Sequence, residues 1–225
     1  MGNLGLNTGL VMIKMYAIPG LGTTQELFIN IRIKNTEIIV LDWPIPSAND
    51  TMQSYAKKFL PLIDTSNPFY LMGVSFGGML CPELSKLICP VKTFLISTCK
   101  TRQELPWFIK TLKHIPIHLV LSEKYHRKLA YQGRWFIGFG AAYIPEFLGM
   151  VNQMKENYFT YCIHIIVNWN NTIAPNNTIH IHGTNDNLIS HKNVKADYLI
   201  KDGSHAMVVF RAEEINAFLE KQINP

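Results

Sequence analysis

Charge is scarce in this chain. Only 16% of its 225 residues are Asp, Glu, Lys or Arg, while 48% are hydrophobic. That balance excludes a disordered or polyelectrolyte chain and predicts a well-packed core. The net charge of +5 is small and scattered, and the densest basic stretch, SEKYHRK at 122–128, belongs to no basic stripe with interleaved aromatics. It reads as a solvated face, and nucleic acid is not an expected partner. Cysteine is sparse as well. Cys81, Cys89, Cys99 and Cys162 have neither CxxC spacing nor the density of a disulfide framework, so they are expected to stay reduced and to behave as small hydrophobes. No uncharged apolar run is long enough to span a membrane. The first residues, MGNLGLNTGLVMIKMY, lack a basic segment followed by a long apolar one, as a signal peptide would need. A cytoplasmic location and a small-molecule substrate, with no membrane partner, are the expectation; nothing in the sequence bears on oligomeric state. Residues 1–11, rich in glycine and asparagine before Met12, are expected to be a disordered leader or an upstream start.

Short apolar runs recur instead, each ending in turn residues: VMIKMYAI (11–18), EIIVLDW (37–43), FYLMGVS (69–75), VKTFLIST (91–98), TIHIHGT (178–184) and ADYLIKDG (196–203). Runs this apolar, without clean alternation, suit strands covered on both faces of a parallel sheet. Segments of helical period lie between them. Met52, Tyr55, Ala56, Phe59 and Leu60 share one helical face, as do Leu80, Leu84, Leu87 and Ile88 after Ser75, and Ile215, Phe218, Leu219 and Ile223 near the end. Strands alternating with helices predict an α/β domain of about six mostly parallel strands with right-handed crossovers. At this length a single domain is expected over residues 1–225. Residues 100–172 break the rhythm; they are aromatic-rich and mostly helical in pattern, and they read as an inserted helical lid. Within them IPIHLVL is expected to be helix or loop rather than strand. Pro82 falls inside the helix after Ser75, where it is expected to kink it.

Gly73-Val74-Ser75-Phe76-Gly77 matches G-x-S-x-G at a change from strand to helical period, the context that gives this pattern meaning. Glycine at both second neighbours permits a sharp turn that lifts the serine oxygen clear at a helix N-terminus. The same glycines would also serve a purely structural βα turn. A serine hydroxyl is a weak nucleophile and needs a histidine base, itself oriented by an acid. His205, in KDGSHAMVVF, follows the last strand run through a Gly-Ser turn and so lies on the same carboxyl edge as Ser75. His180 and His182 sit within a strand run and read as satisfied or semi-exposed structural residues. His114, His118, His126 and His164 belong to the lid, and His191 to a surface connection. For the acid, Asp186 comes three residues past a strand end, although Asp is common in Asx turns there; Asp42 and Asp202 are the alternatives. A zinc site at His180 and His182 would need a third ligand that the spacing does not supply. Neither a metal nor a cofactor is expected. After the first strand run, IPGLGTTQ can turn backbone amides toward a ligand; it fails as a dinucleotide loop, because Gln25 stands where the pattern needs glycine.

Taken together, PGLG, GVSFGG, and HGTND followed by GSH, in that order, give the chain a pattern that resembles the α/β-hydrolase superfamily, specifically its small single-domain bacterial serine hydrolases, over residues 11–223. The resemblance implies a carboxylesterase or thioesterase acting on a small or apolar substrate. In its terms Ser75 attacks a carbonyl, His205 takes the serine proton, Asp186 holds the histidine, and the amides of Phe76 and Leu21 form the oxyanion hole. It leaves acyl transfer, carbon–carbon bond cleavage or a non-catalytic binding role as alternatives. Many relatives carry His-Gly where this chain has Pro19-Gly20, and the family's two leading strands are not evident here. Trp107, Phe108, Trp135, Phe136, Phe139, Tyr143 and Phe147 are available either to line a pocket or to form the lid's own core.

Overall fold

The computed structural model describes residues 12–223; the expected leader at 1–11 lies outside the described residues. Six strands form one sheet: β1 (Ile13–Ile18), β2 (Thr36–Val40), β3 (Phe69–Val74), β4 (Lys92–Ile96), β5 (Thr178–Gly183) and β6 (Tyr198–Ile200). Their order across the sheet is β2-β1-β3-β4-β5-β6, and every neighbouring pair is parallel. The central strand β3 is buried at all six positions, which is why its sequence shows no alternation.

Helices cover both faces, as parallel strands require. α1 (Met52–Lys57) opens on a capping box between Thr51 and Ser54 and buries Met52, Tyr55 and Ala56. The helical pattern read through residue 60 is interrupted there: Pro61 cannot extend an α-helix, and a single 3₁₀ turn, Leu60–Leu62, follows instead. α2 (Phe76–Ser85) carries Pro82 within it and buries nine of its residues. Because α2 stops at Ser85, Leu87 lies beyond it and is exposed, contrary to the inward face the sequence pattern gave it.

Between β4 and β5 the chain runs through α3 (Trp107–Thr111), α4 (Glu123–Gln132), α5 (Arg134–Ile137), α6 (Ile144–Gln153) and α7 (Tyr158–Asn168). Helices thus fill the stretch between β4 and β5, and IPIHLVL is a 3₁₀ turn with flanking loop, not a strand. Of the seven aromatics singled out in it, Phe139 and Phe147 are buried, and Phe139 stacks on Tyr143 and packs at a tilt against Phe147. Phe139 and Tyr143 also meet the Phe210 ring edge-on, so these aromatics join the molecule's hydrophobic core. Trp107, Trp135 and Phe136 face outward, more than half exposed, and Phe108 is 39% exposed. The chain closes with α8 (Met207–Phe210) and α9 (Ala212–Ile223), the latter burying Ile215 and Leu219 while Phe218 and Ile223 are half-buried. Among the described residues no helix is long and apolar enough to cross a membrane.

Candidate active site

Ser75 is the single residue between β3 and α2, and its backbone stands at φ 53°, ψ −117°, a conformation that a residue with a Cβ adopts only under constraint. The constraint is steric. A Cβ on Gly73 would lie 2.6 Å from Cys81 Sγ and from the Gly77 backbone, and one on Gly77 would lie 2.3 Å from the carbonyl oxygens of Ile18 and Pro19. Gly78 has the same limit, with Thr98 Cγ2 at 2.6 Å. The turn can therefore close this tightly only with glycine at those three places. Hydrogen bonds fix it further: Ser75 N–H donates to Ile96 O (3.0 Å), and Gly77 N–H donates to Pro19 O (3.1 Å).

β5 and β6 deliver the other two groups to the same edge. Asp186 lies in the turn after β5, and His205 lies in the loop between β6 and α8; each is 5% exposed. His205 Nδ1–H donates to Asp186 Oδ2 at 2.7 Å, which leaves Nε2 with a lone pair, and that nitrogen accepts the Ser75 hydroxyl at 2.9 Å. Asp186 Oδ1 is filled separately, by the N–H groups of Leu188 (2.9 Å) and Ile189 (2.8 Å). Burial works against a charged Asp186. The adjacent His205, its hydrogen bond and the Ile189 amide more than offset that, and the carboxyl is held below its ordinary value. The structure thus brings Ser75, His205 and Asp186 into one hydrogen-bonded series. Asp42 and Asp202 are exposed, and neither is hydrogen-bonded to His205.

The loop after β1 faces Ser75 from the other side: a Cβ on Gly20 would meet Ser75 Cβ at 3.4 Å. Gly22 has φ +74°, and α7 presses on it with the Phe159 ring while the Tyr158 hydroxyl accepts its N–H at 3.4 Å. Trp43 Nε1–H donates to Thr23 O at 2.8 Å, and its ring stacks on Phe76 at 5.4 Å. No turn, loop or cap hydrogen bond among the described residues consumes the N–H of Leu21 or of Phe76. Both amides are available to an acceptor, and the one on Phe76 opens a ten-residue helix, where donors and the helix dipole favour negative charge.

Among the remaining histidines, His118 pairs with His164 at 3.2 Å and His126 with Thr160 at 3.1 Å, all within the insertion. His180 and His182 are not semi-exposed; both are fully buried. His182 also lies beside Asp186, with Nε2 3.4 Å from Oδ2. Its place in the site was not legible, because alternation along a strand predicts which face a side chain takes and not what the following turn folds back against it. The buried thiols of Cys81, Cys99 and Cys162 are pushed upward by burial, which makes them inert compared with an exposed cysteine. Among the described residues no group of three or more His, Cys, Asp or Glu side chains is placed to hold a metal ion.

No protein-family model matches the sequence, and no curated protein matches it either. Solved structures do. A hydrolase from Pseudomonas aeruginosa superposes with a TM-score of 0.74 at 12% identity, over 95% of this chain and 90% of the other. The enol-lactonase from Burkholderia xenovorans gives 0.72 at 14% identity, over 95% and 92%. A thermophilic esterase gives 0.62 at 20% identity, over 93% and 88%. Identities this low carry information about architecture alone. With its parallel six-stranded sheet and flanking helices, the chain has the α/β-hydrolase fold.

Proposed function

We propose that the protein is a serine hydrolase that cleaves a carboxylic ester or thioester of small or apolar character. The observation that carries this reading is the pair of hydrogen bonds in series, 2.7 Å from His205 to Asp186 and 2.9 Å from Ser75 to His205, ending on a serine held at φ 53°. As Ser75 Oγ attacks the substrate carbonyl carbon, its proton passes to His205 Nε2, and the imidazolium is stabilised by Asp186. The carbonyl oxygen becomes an oxyanion that the N–H groups of Phe76 and Leu21 receive; each such donor is worth roughly 10² to 10³ in turnover. Collapse expels the alcohol or thiol, which takes the proton from His205, and leaves an acyl group on Ser75. Water, deprotonated by His205, then attacks the acyl carbon, and the carboxylic acid departs with Ser75 restored. No cofactor is required by these steps.

Apolar character is supported by the partly buried Leu21, next in the chain to Gly20, where a Cβ would meet Ser75 Cβ at 3.4 Å. The test is turnover of a panel of p-nitrophenyl esters and acyl thioesters by the purified protein and by Ser75→Ala. Hydrolysis that Ser75→Ala abolishes upholds the reading. Absence of hydrolysis, with no labelling of Ser75 by a fluorophosphonate, overturns it.

A further inference from the structure

β5 carries two histidines whose side chains share one face and are completely buried, His180 and His182. His182 Nε2 lies 2.8 Å from Ile189 O, and a carbonyl oxygen can only accept, so this nitrogen bears the proton. Neutral His182 is then left with a lone pair on Nδ1, and His180 Nε2 faces it at 3.3 Å as the donor. The pair is therefore a directed chain, His180 to His182 to the 186–189 turn. That turn is held from both sides, because Ile189 N–H donates to Asp186 Oδ1 while Ile189 O accepts from His182. His182 Nε2 also lies 3.4 Å from Asp186 Oδ2, the oxygen that receives His205, while its N–H is directed at Ile189 O.

We infer that His182, oriented by His180, is a positioning residue that fixes the Asp186 carboxylate toward His205. The inference rests on the proposed hydrolase reading for its kinetic consequence, but its structural consequence does not depend on turnover. Burial chiefly lowers both histidines, His180 well below its usual value with His182 adding to the effect, and His182 less so because the Ile189 carbonyl and Asp186 oppose the burial; the pair thus supplies an oriented N–H. The charged or titratable groups around the pair are Asp186, His205, Glu104 and Lys100, together with Asp197, whose Oδ2 accepts the His180 backbone N–H at 2.7 Å.

The experiment compares wild type, His182→Phe, which keeps a ring and removes the donor, and His182→Gln, which keeps an N–H. Two quantities are read: the low-field proton resonance of the His205–Asp186 hydrogen bond, and kcat and KM on a p-nitrophenyl ester. The expected result is loss or displacement of the resonance in His182→Phe and a fall in kcat of about ten- to a hundredfold with KM within about twofold; His182→Gln restores both toward wild type. A resonance and kcat unchanged in folded His182→Phe, or a Gln variant as impaired as the Phe variant, overturns the inference. Should His182→Phe fail to fold, His182→Leu, also without a donor, takes its place with the same criteria. If wild type turns over no ester, the hydrolase reading falls, and the resonance alone decides for or against His182.

Discussion

Ser75 holds its backbone angle of φ 53° because atoms of β1, β4 and α2 leave the turn no room to relax. A side chain at Gly77 is the most sharply excluded, since its Cβ would lie 2.3 Å from two backbone carbonyl oxygens that cannot rotate away. Gly77→Ala is therefore expected to cost about 4 kcal/mol or more, or to prevent folding, read from urea unfolding or from soluble yield. Ser75→Ala places a smaller group at the same position and should leave stability within about 1 kcal/mol, while ester turnover falls by roughly 10⁴ or more. A large change in melting temperature in Ser75→Ala would mean that the serine is structural. Asp186→Asn keeps the shape of the side chain but replaces an oxygen that receives His205 with an amide or turns one away from the turn amides. Its expected effect is a loss of turnover on the order of 10³ to 10⁴.

α7 is the element that joins the insertion to the chemistry. Phe159 packs on Gly22 and the Tyr158 hydroxyl takes the Gly22 N–H, so the first-strand loop that presents the Leu21 amide is set partly by a helix that enters the chain 136 residues later. Tyr158→Phe removes only that hydroxyl from a side chain that is 1% exposed. Turnover is expected to fall about three- to tenfold, with KM on a short ester little changed, because the loop donor loses definition while the acyl contacts remain. A wild-type kcat in Tyr158→Phe would show that the loop holds its shape unaided. The insertion is also where legibility stops. The strands could be read because burial on both faces leaves continuous apolar runs, and the six runs fall within a few residues of the six strands. Helix ends were less legible: Pro61 and the stop at Ser85 shorten two helices whose apolar spacing continues past them. Which insertion aromatics turn inward depends on how five short helices pack together, and no period within one of them encodes that.

At the scale of the whole molecule, several imidazoles are buried in neutral form. His180, His182, His118 and His126 are all held below the ordinary histidine value of 6.5, in each case chiefly by burial. The unfolded chain takes up these protons near pH 6.5 and the folded chain does not, so the unfolded state binds more protons below that point and stability falls as pH drops through it. Urea midpoints are expected to be nearly level from pH 8 to 7 and then to decline steadily toward pH 5. A midpoint that stays constant over that range would contradict the burial of these rings. Below about pH 4 the depressed carboxyls of Asp186 and Asp50 add a further loss, since their stabilisation exists only while they are ionised. The order of Ser75, Asp186 and His205 along the chain, each after a strand, was legible because a parallel sheet brings strand ends to one edge. The role of the loop clamp and of His182 was not, because both arise from contacts between elements distant in sequence or folded back on themselves. The central claim is that Ser75 is an activated nucleophile. Mass spectrometry of the protein after brief exposure to a fluorophosphonate tests it most directly: one adduct on Ser75 is predicted in wild type and none in Ser75→Ala, with labelling slowed at least a hundredfold in His205→Ala. No adduct on Ser75 in folded wild-type protein, or equal labelling with and without His205, would contradict it.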